Sequence, residues 1–223
     1  MKPIAKIFTE FPEKFGIPRQ SGIVEELEGK IVFEKEFRFP EAVRGLEEFS
    51  HLWLIWEFCA NEEKNFSPTV RPPRLGGNKR VGVFASRSPF RPNRLGLSSV
   101  KIDRIDFESE NAPIIFVKGA DLMNGTPIFD IKPYVQADCH PEALFGFTDK
   151  VEFPTLKVKI SEEQCKTAGE KSDALIKVLE QKPVPAFHSD PNRVYGMSFA
   201  ELEIKFKVSE KELTVLSIKN TVT

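Results

Sequence analysis

Between Ile31 and Val135 the chain is a succession of short apolar runs joined by Gly, Pro and Asn turns. A globular helix needs roughly ten to twelve periodic residues, whereas a strand needs only four to eight. This punctuation therefore favours strands. IVFEKEFRF sets Ile31, Phe33, Phe37 and Phe39 at alternate positions, with Lys35 interrupting, which is the period of a half-buried strand. HLWLIWEF, from His51 to Phe58, is almost continuously apolar and predicts a strand buried on both faces. VGVFA (81–85), LSSVKIDRIDF (97–107), PIIFVKG (113–119) and PIFDIKPYV (127–135) are further strand candidates. Short strands at close spacing, with no helix between them, predict a mainly β fold: an antiparallel sheet closed into a barrel.

The pattern changes near residue 137. ADCHPEALFGFTDK reads as a linker with some local order. SEEQCKTAGEKSDALIKVLEQKP is helical, with Ala174, Leu175, Val178 and Leu179 on one stripe and Pro183 beyond its end. ELEIKFKV aligns Leu202, Ile204, Phe206 and Val208 on one strand face, and ELTVLSI (212–218) can pair with it. The expected organisation is a barrel domain over residues 1–137 and a smaller α+β domain over 138–223.

Residues 71–94, RPPRLGGNKRVGVFASRSPFRPNR, hold seven basic side chains and no acidic one, in a chain of net charge -1. They are Arg71, Arg74, Lys79, Arg80, Arg87, Arg91 and Arg94. Such a concentration suits a site for phosphates or carboxylates. Paired glycines let backbone amides approach a ligand, and Pro72, Pro73, Pro89 and Pro92 lower the entropic cost of ordering the arginine-bearing loops. A solvated basic surface is the plain alternative.

ADLMNGTPIFDIKPY carries a strong turn signal at Asn124-Gly125. If that turn closes a hairpin, Asp121 and Asp130 meet at one rim of the sheet. Asp121 then accepts from ribose hydroxyls, or merely caps the turn. Asp130 acts as a base, orients Lys132, or forms an ordinary ion pair with it. FGIPRQSG presents Pro18, Arg19, Gln20 and Gly22 as a polar loop able to lie over a pocket, and is weak evidence alone. His51 reads as structural, and His188 lies in the turn-rich HSDPN with no second His or Cys to suggest a metal.

Several classes are excluded. No G-x-G-x-x-G follows a strand, no P-loop motif occurs, and H-E-x-x-H, G-x-S-x-G and paired CxxC are missing. Cys59, Cys139 and Cys165 are odd in number and far apart, so neither a disulfide framework nor a metal site is expected. No segment approaches the ~18 apolar residues of a membrane span, and the amino terminus lacks a signal-like apolar run. A soluble cytoplasmic protein is expected.

Taken together, PRQSG, RGLEEFSHLWLIWEF, RPPRLGGNKRVGVFASRSPFRPNRLGLS and DLMNGTPIFDIKPY resemble the TsaA-like (TrmO) family, whose bacterial members methylate tRNA. QKPVPAFHSDPNRVYGMSFAELEIKFKV is similar to that family's smaller bacterial domain. The resemblance implies a β-barrel methyltransferase using S-adenosylmethionine. The acceptor would be N6 of threonylcarbamoyladenosine beside the anticodon of a tRNA. It also implies a homodimer with the donor site near the subunit contact. Donor contacts carry over to Arg19 and Gln20, Arg87, Leu97, and Asp121, Leu122, Met123 and Asn124. The family's contact after the HLW strand, often His-Gln, falls here on Cys59 and Ala60, where only backbone can serve. A sulfonium is not stabilised by arginine but its methionyl carboxylate is, so Arg87 or Arg19 is expected there. The acceptor nitrogen must lose a proton; Asp130 is the candidate base, with Tyr134 and His51 as alternatives. Arg74, Lys79, Arg91 and Lys132 are candidates for the substrate's threonyl carboxylate, and the remaining basic residues for the anticodon-stem phosphates. A non-catalytic RNA- or anion-binding module using the same loops is the competing reading.

Overall fold

A computed structural model describes residues 1–60, 66–72, 75, 79–149, 155–184, 190 and 192–221. Arg74, Gly76, Gly77, Asn78 and His188 lie outside the described residues.

Six strands close a barrel: β1 (Ala5–Thr9), β2 (Glu28–Phe33), β3 (His51–Glu57), β6 (Leu95–Asp106), β7 (Ile114–Lys118) and β8 (Thr126–Pro133). Around the barrel the order is β1-β2-β7-β6-β3-β8, with every neighbour antiparallel. Closure removes the sheet edges that would otherwise invite aggregation. The period-two pattern supplies the interior: Ala5, Ile7, Ile31, Phe33, Leu52, Leu54, Trp56, Val100, Ile115, Val117 and Ile128 form one apolar cluster. Between β3 and β6, β4 (Thr69–Val70) and β5 (Val81–Gly82) pair as a short ribbon that carries the basic segment.

A second layer holds β9 (Lys157–Lys159), α1 (Glu162–Ala168), α2 (Ser172–Glu180), β10 (Val194–Phe199), β11 (Leu202–Val208) and β12 (Glu212–Asn220). Its sheet runs β10-β11-β12-β9, the last pair parallel. Ala174, Leu175, Val178 and Leu179 are buried against it. The predicted single helix is broken at Gly169, whose φ of +57° suits glycine, and a 3-10 turn, Gly169–Lys171, joins the two pieces. Ser161 caps α1 through a reciprocal pair with Gln164.

Three local expectations change. The strand from Ile31 stops at Phe33, because residues 35–37 and 40–43 coil into 3-10 turns, and Arg38 Nε donates to the Phe33 carbonyl at 2.8 Å. Phe37 leans on the barrel core from its end while Phe39 is exposed. β3 alternates rather than being buried on both sides: Leu52, Leu54 and Trp56 face in, and His51, Trp53 and Ile55 lie half-buried outside. Asn124-Gly125 does not close a hairpin, since β7 and β8 are not neighbours. It is a turn that feeds β8, with Gly125 at φ +79°.

Candidate active site

The strand registers decide which loops can meet. β1 ends at Thr9 opposite Gly29, β7 ends at Lys118 opposite Glu28, β3 ends at Glu57 opposite Leu95, and β8 begins beside Ile7. The loops 10–27, 58–94 and 119–125 therefore rise from one end of the barrel. Arg19 and Gln20 lie on the first, Cys59, Ala60 and Arg87 on the second, and Asp121, Leu122, Met123 and Asn124 on the third. Residues separated by a hundred positions share one rim.

Asp121 is the chemical centre of that rim. It keeps a window to solvent, yet burial pushes its pKa up, against the hydrogen bond from Ser98, its own amide, the Arg87 charge and the Ser21 amide, all of which pull it down. Ser98 Oγ lies 2.6 Å from Asp121 Oδ1 and 3.0 Å from Trp56 Nε1. An indole N–H can only donate, so the serine oxygen accepts from Trp56 and its single proton points to the carboxylate. Gly96 makes the arrangement fit. A Cβ there would sit 2.3 Å from Trp56 Cε2, so the bare backbone leaves room for the ring. The interior thus orients Asp121 through two relayed hydrogen bonds and fixes it as an acceptor for hydroxyls or amides from outside.

Around this carboxylate the other loops close in. Arg87 Nη1 donates to Gln20 Oε1, tying the second loop to the first. The Gly22 amide donates to the Gly119 carbonyl at 2.9 Å, tying the first to the third. Arg87 is exposed, and its charge reaches Asp121. Its loop is stiffened from within: Arg91 Nη1 donates to the carbonyls of Ser86 (2.7 Å) and Ser88 (3.4 Å), and its guanidinium lies 5.9 Å from the Phe84 ring centre. Arg91, a candidate for the substrate's carboxylate, is thus a half-buried clamp on the loop that carries Arg87. Arg94 pairs with Glu57 at 3.2 Å where β3 meets β6.

The remaining candidates are distributed unevenly. Leu97 is 51% exposed on the barrel's outer face, in one row with Ile55 and Asp130. Asp130 Oδ2 pairs with Lys132 Nζ at 3.2 Å, and its Oδ1 accepts the Ile131 amide. Tyr134 follows the last residue of β8, at the far end, where its amide donates to the His51 carbonyl and its ring stacks on Trp53. It stands about 13 Å along the strand from Asp130. Cys59 is exposed, Ala60 half-buried, and Lys79 exposed. Leu122 is fully buried beneath the rim, Met123 half-buried, and Asn124 exposed. Among the described residues no three His, Cys, Asp or Glu side chains gather as a metal site.

Trp56, Ser98, Ser21 and Thr9 were not singled out by the sequence reading. Thr9 Oγ1 donates to the Leu122 carbonyl at 2.8 Å, and the Thr9 amide donates to Asn124 Oδ1 at 3.1 Å. Ser98 did carry a signal: in the alternation of LGLSSV it takes an inward position beside Val100. A buried hydroxyl among apolar neighbours needs a partner.

Known proteins share this sequence pattern and this fold. Residues 6–139 match the model of the tRNA-methyltransferase O N-terminal domain, and residues 149–221 that of the TrmO C-terminal domain. The chain is 34% identical to the tRNA (adenine(37)-N6)-methyltransferase of Escherichia coli, over 97% of this chain and 96% of that protein. It is 35% identical to a putative S-adenosylmethionine-dependent methyltransferase of Pseudomonas aeruginosa, over 96% and 94%. A crystal structure of TrmO from Pseudomonas aeruginosa superposes with a TM-score of 0.80 at 30% identity, covering 98% of this chain and 97% of that one. With a six-stranded barrel whose loops converge on Asp121, and with both family models matched in order, the chain belongs to the tRNA-methyltransferase O family.

Proposed function

We propose that this chain transfers the methyl group of S-adenosylmethionine to N6 of threonylcarbamoyladenosine beside the anticodon of a tRNA. The observation that carries the reading is the Asp121 arrangement, set in a chain of this family. A desolvated carboxylate, locked as an acceptor by Ser98 and Trp56, stands beside a cation and an amide side chain. That donor set fits the ligand: a ribose offers hydroxyls to Asp121, and the methionyl carboxylate suits Arg87 and Gln20. Arg19 is exposed on the same loop. Leu97 offers an apolar edge for the adenine, with Leu122 and Met123 beneath the rim and the Cys59-Ala60 turn beside it. When bound, S-adenosylmethionine supplies a methyl group on positively charged sulfur.

The chain's own residues then handle the proton. The acceptor nitrogen belongs to a urea-like group, so its lone pair is delocalised and its N–H must be given up as methylation proceeds. A positioned base contributes about 10²–10⁴ in rate. Asp130 takes this role in the proposal because it shares the Leu97 row, whereas Tyr134 lies at the other end of β8. Lys132, now paired with Asp130, is suited to meet the substrate's threonyl carboxylate. Arg71, Lys79 and Arg80 are left for phosphates, with Arg80 also donating to Thr69 at 2.8 Å. Arg74 belongs to the same basic segment.

The homodimer is part of this reading, supported by the exposed apolar side chains Leu97 and Phe84. A cytoplasmic location belongs to it too; no helix among the described residues is long and apolar enough to cross a membrane. A division near residue 137 is also proposed, with the qualification that Phe11, Val24 and Leu27 are buried in the second core.

The test is methyl incorporation from labelled S-adenosylmethionine into matched tRNAs with and without the threonylcarbamoyl group. Incorporation only into the modified tRNA is expected. Equal incorporation removes the proposed acceptor, and failure of the protein to bind S-adenosylmethionine at all leaves an RNA-binding barrel instead.

A further inference from the structure

The first rim loop does not rest on the barrel alone. Residues 10–27 leave β1, cross to the second layer and return to β2, so they form a strap. Its start is fastened on two sides. Towards the rim, the Asn124 amide donates to the Phe11 carbonyl at 2.7 Å, and Thr9 holds Leu122 and Asn124. Towards the second layer, the Ala200 amide donates to the Glu10 carbonyl at 2.6 Å, and the Phe11 ring meets Phe199 edge-on with centroids 5.4 Å apart. Its far end is fastened likewise. Gly119 donates to the Leu27 carbonyl at 2.8 Å, while Val24 and Leu27 are buried in the second core. Phe15 and Ile17 pack against that core just before Arg19 and Gln20.

One side chain joins both ends. Lys171, in the 3-10 turn between α1 and α2, places Nζ 3.0 Å from Glu10 Oε1 and 2.9 Å from Glu28 Oε2. Glu10 is 7% exposed, and its Oε2 is buried with no hydrogen-bond partner among the described residues. A carboxylate so placed depends on the Lys171 ammonium, because an unpaired buried charge is costly. Partial burial pulls the Lys171 ammonium down, but hydrogen bonds to Glu28 and Glu10 outweigh it and hold its pKa above the ordinary value.

We propose that Lys171 is a positioning residue for the donor site: by clamping Glu10 and Glu28 it fixes both ends of the 10–28 strap, and through residues 9–11 it holds the 121–124 turn. The second layer thereby serves methyl-donor binding as well as whatever it contributes to tRNA. The inference rests on the reading that Arg19, Gln20, Arg87 and Asp121 hold the donor.

Three variants test it, each measured for donor and tRNA kinetics and for Tm. Lys171→Met alone strands Glu10 and is expected to lower Tm, so the decisive variant is Glu10→Gln with Lys171→Met, which removes both charges and keeps the fold. In that double variant the donor KM is expected to rise about tenfold, with kcat and the tRNA KM within about twofold of the parent. Amide exchange should quicken over residues 18–24 and 120–125 but not in β3 or β6. Lys171→Arg should restore the donor KM. A folded double variant with the parent's donor KM overturns the clamp, as does a rise in the tRNA KM equal to that in the donor KM. Arg87→Ala separates the two readings. If it weakens donor binding while the double variant does not, the clamp alone fails; if Arg87→Ala leaves donor binding intact, the donor site itself is misplaced and the clamp falls with it.

Discussion

Asp121→Asn should make the free protein more stable and the enzyme worse. In the parent, burial raises the Asp121 pKa against the opposing pull of Ser98, its own amide, Arg87 and Ser21, so the folded state binds that proton more tightly than the unfolded chain does. Stability attached to this group therefore falls as pH rises from the ordinary carboxylate range through the folded-state pKa and is lost above it. Asparagine retains an oxygen to accept from Ser98, now at 2.6 Å, and carries no charge to desolvate. A gain of about 1 kcal/mol at neutral pH is expected, the usual size for relieving a strained functional site. In a chain of this length that is about 2–4 °C in Tm. The gain should vanish in acid, where the parent carboxylate is already protonated. Donor binding moves oppositely. Hydrogen bonds to a charged acceptor contribute about 1.5–3 kcal/mol, so S-adenosylhomocysteine should bind roughly ten- to a hundredfold more weakly. Thermal scans across pH and calorimetric titration read the two effects on one preparation. A variant that binds the product as well as the parent would refute Asp121 as the ribose acceptor. A variant less stable than the parent at neutral pH would refute the desolvation argument.

Two further substitutions probe the supports of this carboxylate. Gly96→Ala drives a methyl group into Trp56, whose Cε2 lies 2.3 Å from the new Cβ, and should cost about 1–3 kcal/mol by chemical denaturation; an unchanged midpoint would show that the ring moves freely. Arg91→Met removes the bonds to the Ser86 and Ser88 carbonyls and so loosens the loop bearing Arg87; donor affinity should fall several-fold along with tRNA affinity, and a loss confined to tRNA would return Arg91 to the role of a substrate contact.

What the sequence made legible was local. Period-two alternation marks β2 and β11, because each strand must present alternate residues to one core, and that requirement is written into consecutive positions, while short apolar runs mark β3, β6, β7 and β8. The Pro/Gly framing of the basic segment likewise marks the loop that carries Arg87 to the rim. β1 escaped because AKIFT is short, and β9 because KVK offers a single apolar residue. The hairpin expected at Asn124-Gly125 failed for a topological reason: the turn chemistry is real, but in this barrel the strands on either side pair elsewhere. Tyr134 and Asp130 look like neighbours in the sequence, and only the strand direction shows that one lies at the far end from the rim.

Least legible was the dependence of one layer on the other. Phe11, Val24 and Leu27 read as unremarkable loop residues because no periodicity links them, yet they are 0%, 2% and 1% exposed in a core otherwise drawn from residues 156–215. Their burial has a consequence for the site. A chain cut near residue 137 would expose those three side chains and leave Glu10 without Lys171, so the strap bearing Arg19 and Gln20 would lose its anchors while the barrel strands kept all of their pairings. The loss should therefore fall on donor binding before it falls on the barrel. The two layers are separable in sequence but joined in energy at the 10–28 strap, and the residues that join them are local to neither.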